Sequence, residues 1–444
     1  MKIEAIPAEA TRFKETELGP LPEEWRVVRL GDLWKQGILW IKNGFSQGDF
    51  NEQGSGVPHL RPFNVNEWGE ISLPQIKYVA PPPDNSPYWV YKGDVIFNNT
   101  NSEDLVGKVA YFDREGKFVL SNHMTIVRVQ DSKVLNGAWL AKWLLHLGYQ
   151  GFTQTLARRH VNQASISLAR LRSIPIPLPP PPEQRAIAYV LRTVQEAKEA
   201  TDRVIAALRE LKKSLMRHLF TYGPVPVDAT DRVELKETEI GPLPAHWRVV
   251  RLGEVVELRK GTVSPAEVPE ARYVGLEHID SGEIRIRRFG KASDTRSAKA
   301  IFHAGDILYG KLRPYLDKAA LAEWDGVCST DILVLISTEA VDRTFAAYLM
   351  HTDFVLHHAI ATTTGVNHPR TSWKSLSQAT IPLPPLSEQR EIARILRSVD
   401  EHIEAEERKK AALEALFKTL LHHLMMAKIR LPEEFVARFA EATP

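Results

Sequence analysis

The sequence predicts a mixed α/β (α+β) fold: two tandem globular domains related by a pseudo-twofold, joined by two long helices packing as an antiparallel coiled coil. Three observations carry that prediction. The segment KETELGPLPEEWRVVRLGDL (14–33) returns as KETEIGPLPAHWRVVRLGEV (236–255), identical at 15 of 20 positions. The run IPLPPPPEQR (176–185) returns as IPLPPLSEQR (381–390). Behind each proline run lies a long stretch with apolar side chains at helical spacing.

Each copy has the same order: a Gly-Pro-Leu-Pro turn, a Trp-anchored strand, a globular middle, the proline run, then a helix. This divides the chain into a first domain at 1–182, a central helix at 183–225, a second domain at 226–386, a C-terminal helix at 387–430 and a tail at 431–444. Trp25 to Trp247 is an offset of 222 whereas Glu183 to Glu388 is 205, so the second middle is 17 residues shorter. The period is far longer than the roughly 20–50 residues of a solenoid.

Within the middles, GDVIFNN (93–99), HMTIVRV (123–129), GDILYGK (305–311) and TDILVLIS (330–337) read as strands. NGAWLAKWLLHLG (136–148) and RTFAAYLMHTDFVLHHAI (343–360) read as helices. A curved sheet with a few helices is expected in each. After the first proline run, Ile187, Val194, Leu208 and Leu215 form one heptad row and Val190, Ala197, Val204 and Leu211 the next. The second helix carries Ile392, Val399, Leu413 and Leu420, with Ile395, Leu396, Ile403, Leu416 and Phe417 beside them, around a charged centre, EAEERKK. Ser387 and Glu388 offer a capping oxygen and first-turn negative charge. A helix over 183–220 is about 57 Å long. Two such helices packed antiparallel would hold the domains at a fixed separation.

Composition excludes several classes. The 444 residues are 43% apolar and 25% charged, with a net charge of +2, as in an average soluble globular chain. Any basic surface must be local. Cys328 is the only cysteine, which excludes a disulfide framework and thiolate-rich metal sites, and it reads as a buried bystander. No stretch of about 18 uninterrupted apolar residues occurs, so a soluble, cytoplasmic protein is expected.

Common nucleotide-binding, zinc-hydrolase and serine-hydrolase motifs are absent. Asp94, Glu115 and Lys117 loosely match the acidic pair plus lysine of metal-dependent nucleases, although a strand-turn-strand with surface charges is the commoner origin of that pattern. The clusters His357-His358 and His422-His423 lack a carboxylate at spacing that completes a metal site, so no metal is expected. Local charge stands out instead. Residues 132–182 hold six basic side chains (Lys133, Lys142, Arg158, Arg159, Arg170, Arg172) and no acid. Residues 354–387 are also acid-free, with Arg370, Lys374 and three histidines, and 282–318 has nine basic residues against four acidic ones. ARRHVNQAS (157–165) and TTTGVNHPR (362–370) occupy related positions and offer the side chains that contact phosphates and base edges.

The repeated GPLPxxWxVVRLG, the GD-[VI]-[IL] strand starts, the VNxxSIS approach at 161–167 and the paired IPLPPxxEQRxIAxxLRxV resemble the specificity subunit of type I restriction-modification systems, over about residues 14 to 425. The resemblance implies two target-recognition domains, each reading one half of a bipartite DNA sequence, and helices that dock modification subunits, two in number. It also implies that S-adenosylmethionine sits on those subunits rather than on this chain, and that a separate restriction subunit, a motor-nuclease, cuts. The expected activity is therefore non-catalytic DNA recognition.

The candidate base and phosphate contacts in the first domain are Asn98, Asn99, Asn101, Arg158, Arg159, His160, Asn162 and Gln163. In the second they are Lys311, Arg313, Tyr315, Thr363, Asn367, His368 and Arg370. Arg or Lys would meet guanine, Asn or Gln adenine, and the remainder phosphate. The rival readings are a metal-dependent endonuclease using Asp94, Glu115 and Lys117, and a coiled-coil adaptor without DNA contact.

Overall fold

The computed structural model describes residues 6–7, 12–45, 49–161 and 163–440. They group into two compact units, one within 1–200 and 409–444, the other 201–408.

In the first unit, Val109–Tyr111, Val95–Asn98, Met124–Val129 and Leu39–Asn43 form an antiparallel sheet. A second sheet orders Lys77–Val79, Val57–Leu60, Phe118–Leu120 and Trp89–Val90, with Val57–Leu60 parallel to Phe118–Leu120. Side chains alternate across a strand, and here both faces are covered. Val95, Phe97 and Val127 join Trp139 and Trp143 of the helix Gly137–Tyr149 in one core. Ile96, Met124 and Ile126 pack with Leu60, Val90 and Leu120 in another. This explains why the strands read as unbroken apolar runs.

The second unit repeats the plan. Val256–Leu258, Ile332–Ser337, Ile307–Gly310 and Ala319–Leu321 form its antiparallel sheet, and a five-stranded sheet carries Arg272–Val274 parallel to Gly326–Cys328. Ile307, Tyr309, Leu333 and Leu335 pack on Phe345 and Tyr348, while Leu308, Ile332 and Val334 pack on Val274, Phe302 and the buried Cys328. Each unit thus has two larger sheets rather than the single curved one expected, because strands apolar on both faces need two cores. The predicted helix over 343–360 is two, Arg343–Leu349 and Asp353–Ala361, separated where the Thr352 hydroxyl donates to the Leu349 carbonyl at 2.7 Å.

The duplicated motifs pair with each other. Pro175–Leu178 runs antiparallel to Arg26–Arg29, and Thr380–Leu383 to Arg248–Arg251. Proline donates no amide hydrogen, so such a strand tolerates only a two-stranded ribbon or an edge. The Glu and Gln that follow are latches. Glu183 accepts from Trp25 Nε1 at 3.0 Å, and Glu388 from Trp247 Nε1 at 2.9 Å. Gln184 and Gln389 are buried and bond lobe backbone. Glu388 stands in the first turn of the helix that begins at Leu386, where its negative charge is expected, and also engages Trp247 and His246, whereas Ser387 lies inside that turn rather than before it and so is not the cap that was expected.

The long helices are Pro181–Tyr222 and Leu386–Met425. In the first unit, Ala186, Ile187 and Leu191 share a core with Phe417, Leu421 and Leu424. In the second, Leu219 and Phe220 share one with Ile392, Ala393 and Leu396. In both units the start of one helix meets the end of the other, which is antiparallel packing. The seam differs from the expected heptad rows. Val204 and Leu211 are 44% and 47% exposed, while Gln195, Lys198, Thr201 and Lys212 are buried. The helices face lobe as well as partner helix, and those contacts are polar: Gln195 Nε2 donates to the Trp68 carbonyl at 2.7 Å, and Lys212 Nζ lies 2.7 Å from Asp400 Oδ1.

The charged centre of the second helix has the same cause. Glu404 and Glu407 receive Arg285 and Arg287 of the second unit, and Arg209 Nη2 reaches Glu407 at 2.8 Å. The tail packs on the first unit, where Arg185 Nε and Nη2 donate to the Phe439 carbonyl at 2.9 and 2.7 Å, and Ile429–Arg430 pairs with Ile6–Pro7.

Lys142, on the helix Gly137–Tyr149, is buried with its amine bonded to Gln195 and 5.2 Å from the Phe417 ring centroid. Burial disfavours the ammonium and lowers its pKa from 10.5 to about 7. Between those values the unfolded chain holds a proton that the folded chain lacks, so this group makes stability rise with pH, by roughly 1.4 kcal/mol per unit. Lys142→Met is expected to flatten the difference in denaturation midpoint between pH 7.5 and 9.5; an unchanged slope would contradict a neutral amine.

Candidate nucleic-acid interface

The two loops singled out in the sequence become hairpins of one design. Arg158–Arg159 pairs with Ala164–Ser165, and Ala164–Ser165 pairs in turn with Thr100–Asn101, the extension of the sheet strand Val95–Asn98. His160 N donates to the Gln163 carbonyl at 2.7 Å and closes the tip. In the second unit, Thr364 bridges Arg370 and Arg370 bridges Leu312, just beyond the strand Ile307–Gly310. Thr364 N and Arg370 N each donate to the other's carbonyl, at 2.9 and 3.0 Å. The structure thus joins the two groups of candidates, strand end and loop, into one small ribbon in each unit.

Placement sorts those candidates. Arg158, Arg159, His160 and Gln163 are exposed, and so are Arg313, Tyr315, Asn367 and His368. Arg159 pairs with Glu103, both well solvated, and His160 Nε2 lies 3.1 Å from Ser165 Oγ. Asn101 is half-buried and accepts from Ser102 N at 2.8 Å. Asn162 lies outside the described residues.

Asn98 and Asn99 are buried, which corrects their reading as base contacts. Asn98 Nδ2 donates to the Pro62 carbonyl at 2.9 Å, and Asn99 Nδ2 to Thr125 Oγ1 at 2.9 Å. Their amide N–H groups fasten the strand end.

In the second unit, Arg313 has φ +52°, an uncommon conformation for a side-chain-bearing residue, and its N–H donates to the Pro369 carbonyl at 2.7 Å. Strand end and hairpin are tied there. Lys311 is half-buried, its N–H bonded to the Asp331 carbonyl at 2.9 Å. Thr363 Oγ1 donates to the Ile360 carbonyl at 2.8 Å. The Arg370 guanidinium donates to Asp331 at 2.9 and 3.4 Å, and this bond raises its pKa. Arg370 anchors the hairpin instead of standing free for guanine.

Part of the basic stretch 282–318 is neutralised by acidic partners. Arg285 and Arg287 meet Glu404 and Glu407, and Arg288 reaches Asp280 at 2.5 Å. Nothing in the sequence alone signalled the pairings of Arg285 and Arg287, which join segments more than 100 residues apart.

The nuclease triad does not assemble. Asp94 is buried against Arg128 at 2.7 Å, Glu115 meets Lys92 at 2.6 Å, and Lys117 meets Asp84 at 2.8 Å. In the second unit Asp306 is held by Arg259 at 2.6 Å, so this aspartate is a strand-start ion pair in both. Among the described residues no group of three or more His, Cys, Asp or Glu could hold a metal ion, and no helix is long and apolar enough to cross a membrane.

The family model for the type I restriction modification DNA specificity domain matches residues 22–210 and 244–415. The chain belongs to that family. A Methanocaldococcus jannaschii protein assigned as the MjaX type I restriction enzyme specificity subunit is 27% identical over 428 residues, covering 94% of this chain and 96% of its own. The EcoDI specificity subunit of Escherichia coli is 26% identical over 401 residues, 85% of this chain and 81% of its own. The crystal structure of a type I S subunit from M. genitalium covers 92% of this specificity-family chain and 96% of its own, with a TM-score of 0.58 at 16% identity, and shares its fold. The two matched segments fall on the two copies of the duplication, each including one hairpin.

Proposed function

We infer that this chain is the non-catalytic specificity subunit of a type I restriction-modification complex, each unit reading one half of a bipartite DNA target through its hairpin and the adjoining strand end. One observation carries the reading. The same ribbon projects exposed donors and cations in both units, yet its sequence differs between them, as two half-sites demand. The latches at Glu183 and Glu388 fix each unit to a long helix, so helix length would set the gap. About four residues of helix correspond to some 6 Å, near two base pairs.

Modification subunits carrying S-adenosylmethionine, two of them, and restriction subunits are the partners this reading requires, in the cytoplasm. The endonuclease alternative lacks its site, since its three side chains are each engaged in separate ion pairs.

The test uses the chain assembled with modification subunits, with methylated sites mapped across a host genome. Arg370→Ala is expected to relax one half-site by about tenfold while sparing the other. Because Arg370 acts through Asp331, Asp331→Ala relaxes the same half-site. Loss of discrimination at both halves would overturn independent reading by the two units.

A further inference from the structure

The loops 157–165 and 362–370 align at a constant offset of 205, the offset that also separates Glu183 from Glu388. ARRHVNQAS and TTTGVNHPR then agree at two positions alone, the Val-Asn pair that begins at Val161 and Val366. Everything around that pair has diverged in size, charge and hydrogen-bonding capacity. The second hairpin is even one residue longer, since the bridge partner of Arg159 is Ala164 whereas that of Thr364 is Arg370. A shared residue in an otherwise divergent loop asks for a shared task.

Packing is not that task. Val161 is 99% exposed and Val366 98%, the two highest values among the exposed large hydrophobic side chains of the described residues. A β-branched side chain at a hairpin tip that touches nothing gains no stability there, and water is a poor environment for its methyl groups. Turn geometry is not the task either. The first tip is closed by the His160 N to Gln163 carbonyl bond, while the second enters through Gly365 at φ +92°. The two valines reach the same exposure through different turns.

Their surroundings state what covers them. Val161 follows the exposed Arg158, Arg159 and His160 and precedes the exposed Gln163; Val366 precedes the exposed Asn367 and His368. An apolar side chain flanked by arginine, histidine and glutamine at Val161, and by asparagine and histidine at Val366, does not suit an apolar protein surface or a lipid. It suits a duplex groove, where phosphates take the cations, base edges take the amides, and one apolar group is on offer, the 5-methyl of thymine in the major groove.

We propose that Val161 and Val366 are specificity-determining residues, each packing against a thymine methyl group in its own half-site, so that both half-sites present a T at the corresponding position although their remaining bases differ. The proposal rests on the DNA-reading assignment above and deepens it.

The test uses the chain assembled with its modification subunits and a synthetic duplex carrying the mapped target. Thymines are replaced one at a time by deoxyuridine, which removes the methyl and leaves the Watson–Crick edge intact. Wild type is expected to lose about fourfold in affinity at one position in each half-site, the loss that corresponds to one unburied methyl. Val161→Ala should abolish the sensitivity in the first half-site alone, and Val366→Ala in the second alone. Both positions are solvent-exposed, so the variants keep the fold. Deoxyuridine sensitivity that persists in the variants, or no sensitive position in wild type, overturns the thymine contact. A uniform loss of affinity in the variants with no deoxyuridine effect also overturns it, and points to a wedge between bases. If wild type does not distinguish the target from a scrambled duplex, the DNA-reading assignment itself has failed.

Discussion

Replacing Arg158 and Arg159 together by alanine is expected to lower affinity for the target by one to two orders of magnitude near 0.1 M salt, with the entire loss confined to one half-site. The two side chains stand on the outer strand of the first hairpin and are exposed, and Glu103, which reaches Arg159, is itself in solvent and holds it weakly. A cation of this kind meets DNA by displacing a condensed counterion. Each phosphate contact contributes about 0.9 to the slope of log affinity against log salt. Losing two should therefore shallow that slope by roughly 1.8. If one arginine reads a guanine edge instead, the slope falls by about half as much and discrimination at one base pair falls by about 1–3 kcal/mol. Titrating binding from low to high salt separates these outcomes. An unchanged slope with unchanged affinity would remove the hairpin from the interface.

The fold was legible in the sequence because duplication, proline and Trp placement, and helical spacing are local signals that recur. The strands over 95–98, 124–129, 307–310 and 332–337 fall within the segments that read as strands. The helix seam was misread for a physical reason. A heptad search looks for apolar rows, and here the buried positions include Gln195, Lys198 and Lys212, whose partners Trp68, Glu70 and Asp400 are distant in sequence. The candidate site was half legible. That the segments 157–165 and 362–370 carry positive or polar side chains without acids could be read from the sequence. That Asn98 and Asn99 turn inward, and that Arg370 is held by Asp331, could not, because long-range pairing decides whether a polar side chain is a reader or an anchor. A signal for Asp331 exists only in hindsight: it is the acidic residue opposite the strand end, where it receives Lys311 N on its carbonyl and Arg370 on its carboxylate.

The largest stability effects should come from the glutamines of the repeated Glu-Gln-Arg, not from the tryptophans that draw the eye. Gln184 is fully buried; its Oε1 accepts from Asn136 N at 2.8 Å, and its Nε2 donates to the Pro179 and Val134 carbonyls at 2.9 and 3.0 Å. Gln389 does the same with Asp342 N at 2.8 Å and the Pro384 and Ala340 carbonyls at 2.8 and 3.2 Å. Asn136 and Asp342 are the N-caps of Gly137–Tyr149 and Arg343–Leu349, so one amide ties proline run, lobe helix and long helix in each unit. Alanine at either position strands one donor and two acceptors away from water, which costs about 2–4 kcal/mol. Glutamate is worse than alanine, because it keeps the acceptor but buries a charge and loses the donor. The expected result of Gln184→Ala is faster amide exchange over 137–149 with 343–349 unchanged, and of Gln389→Ala the reverse. A loss below about 0.5 kcal/mol, the range of ordinary surface substitutions, would show that water replaces the amide and that the repeated glutamine is not what fastens the helices to the lobes.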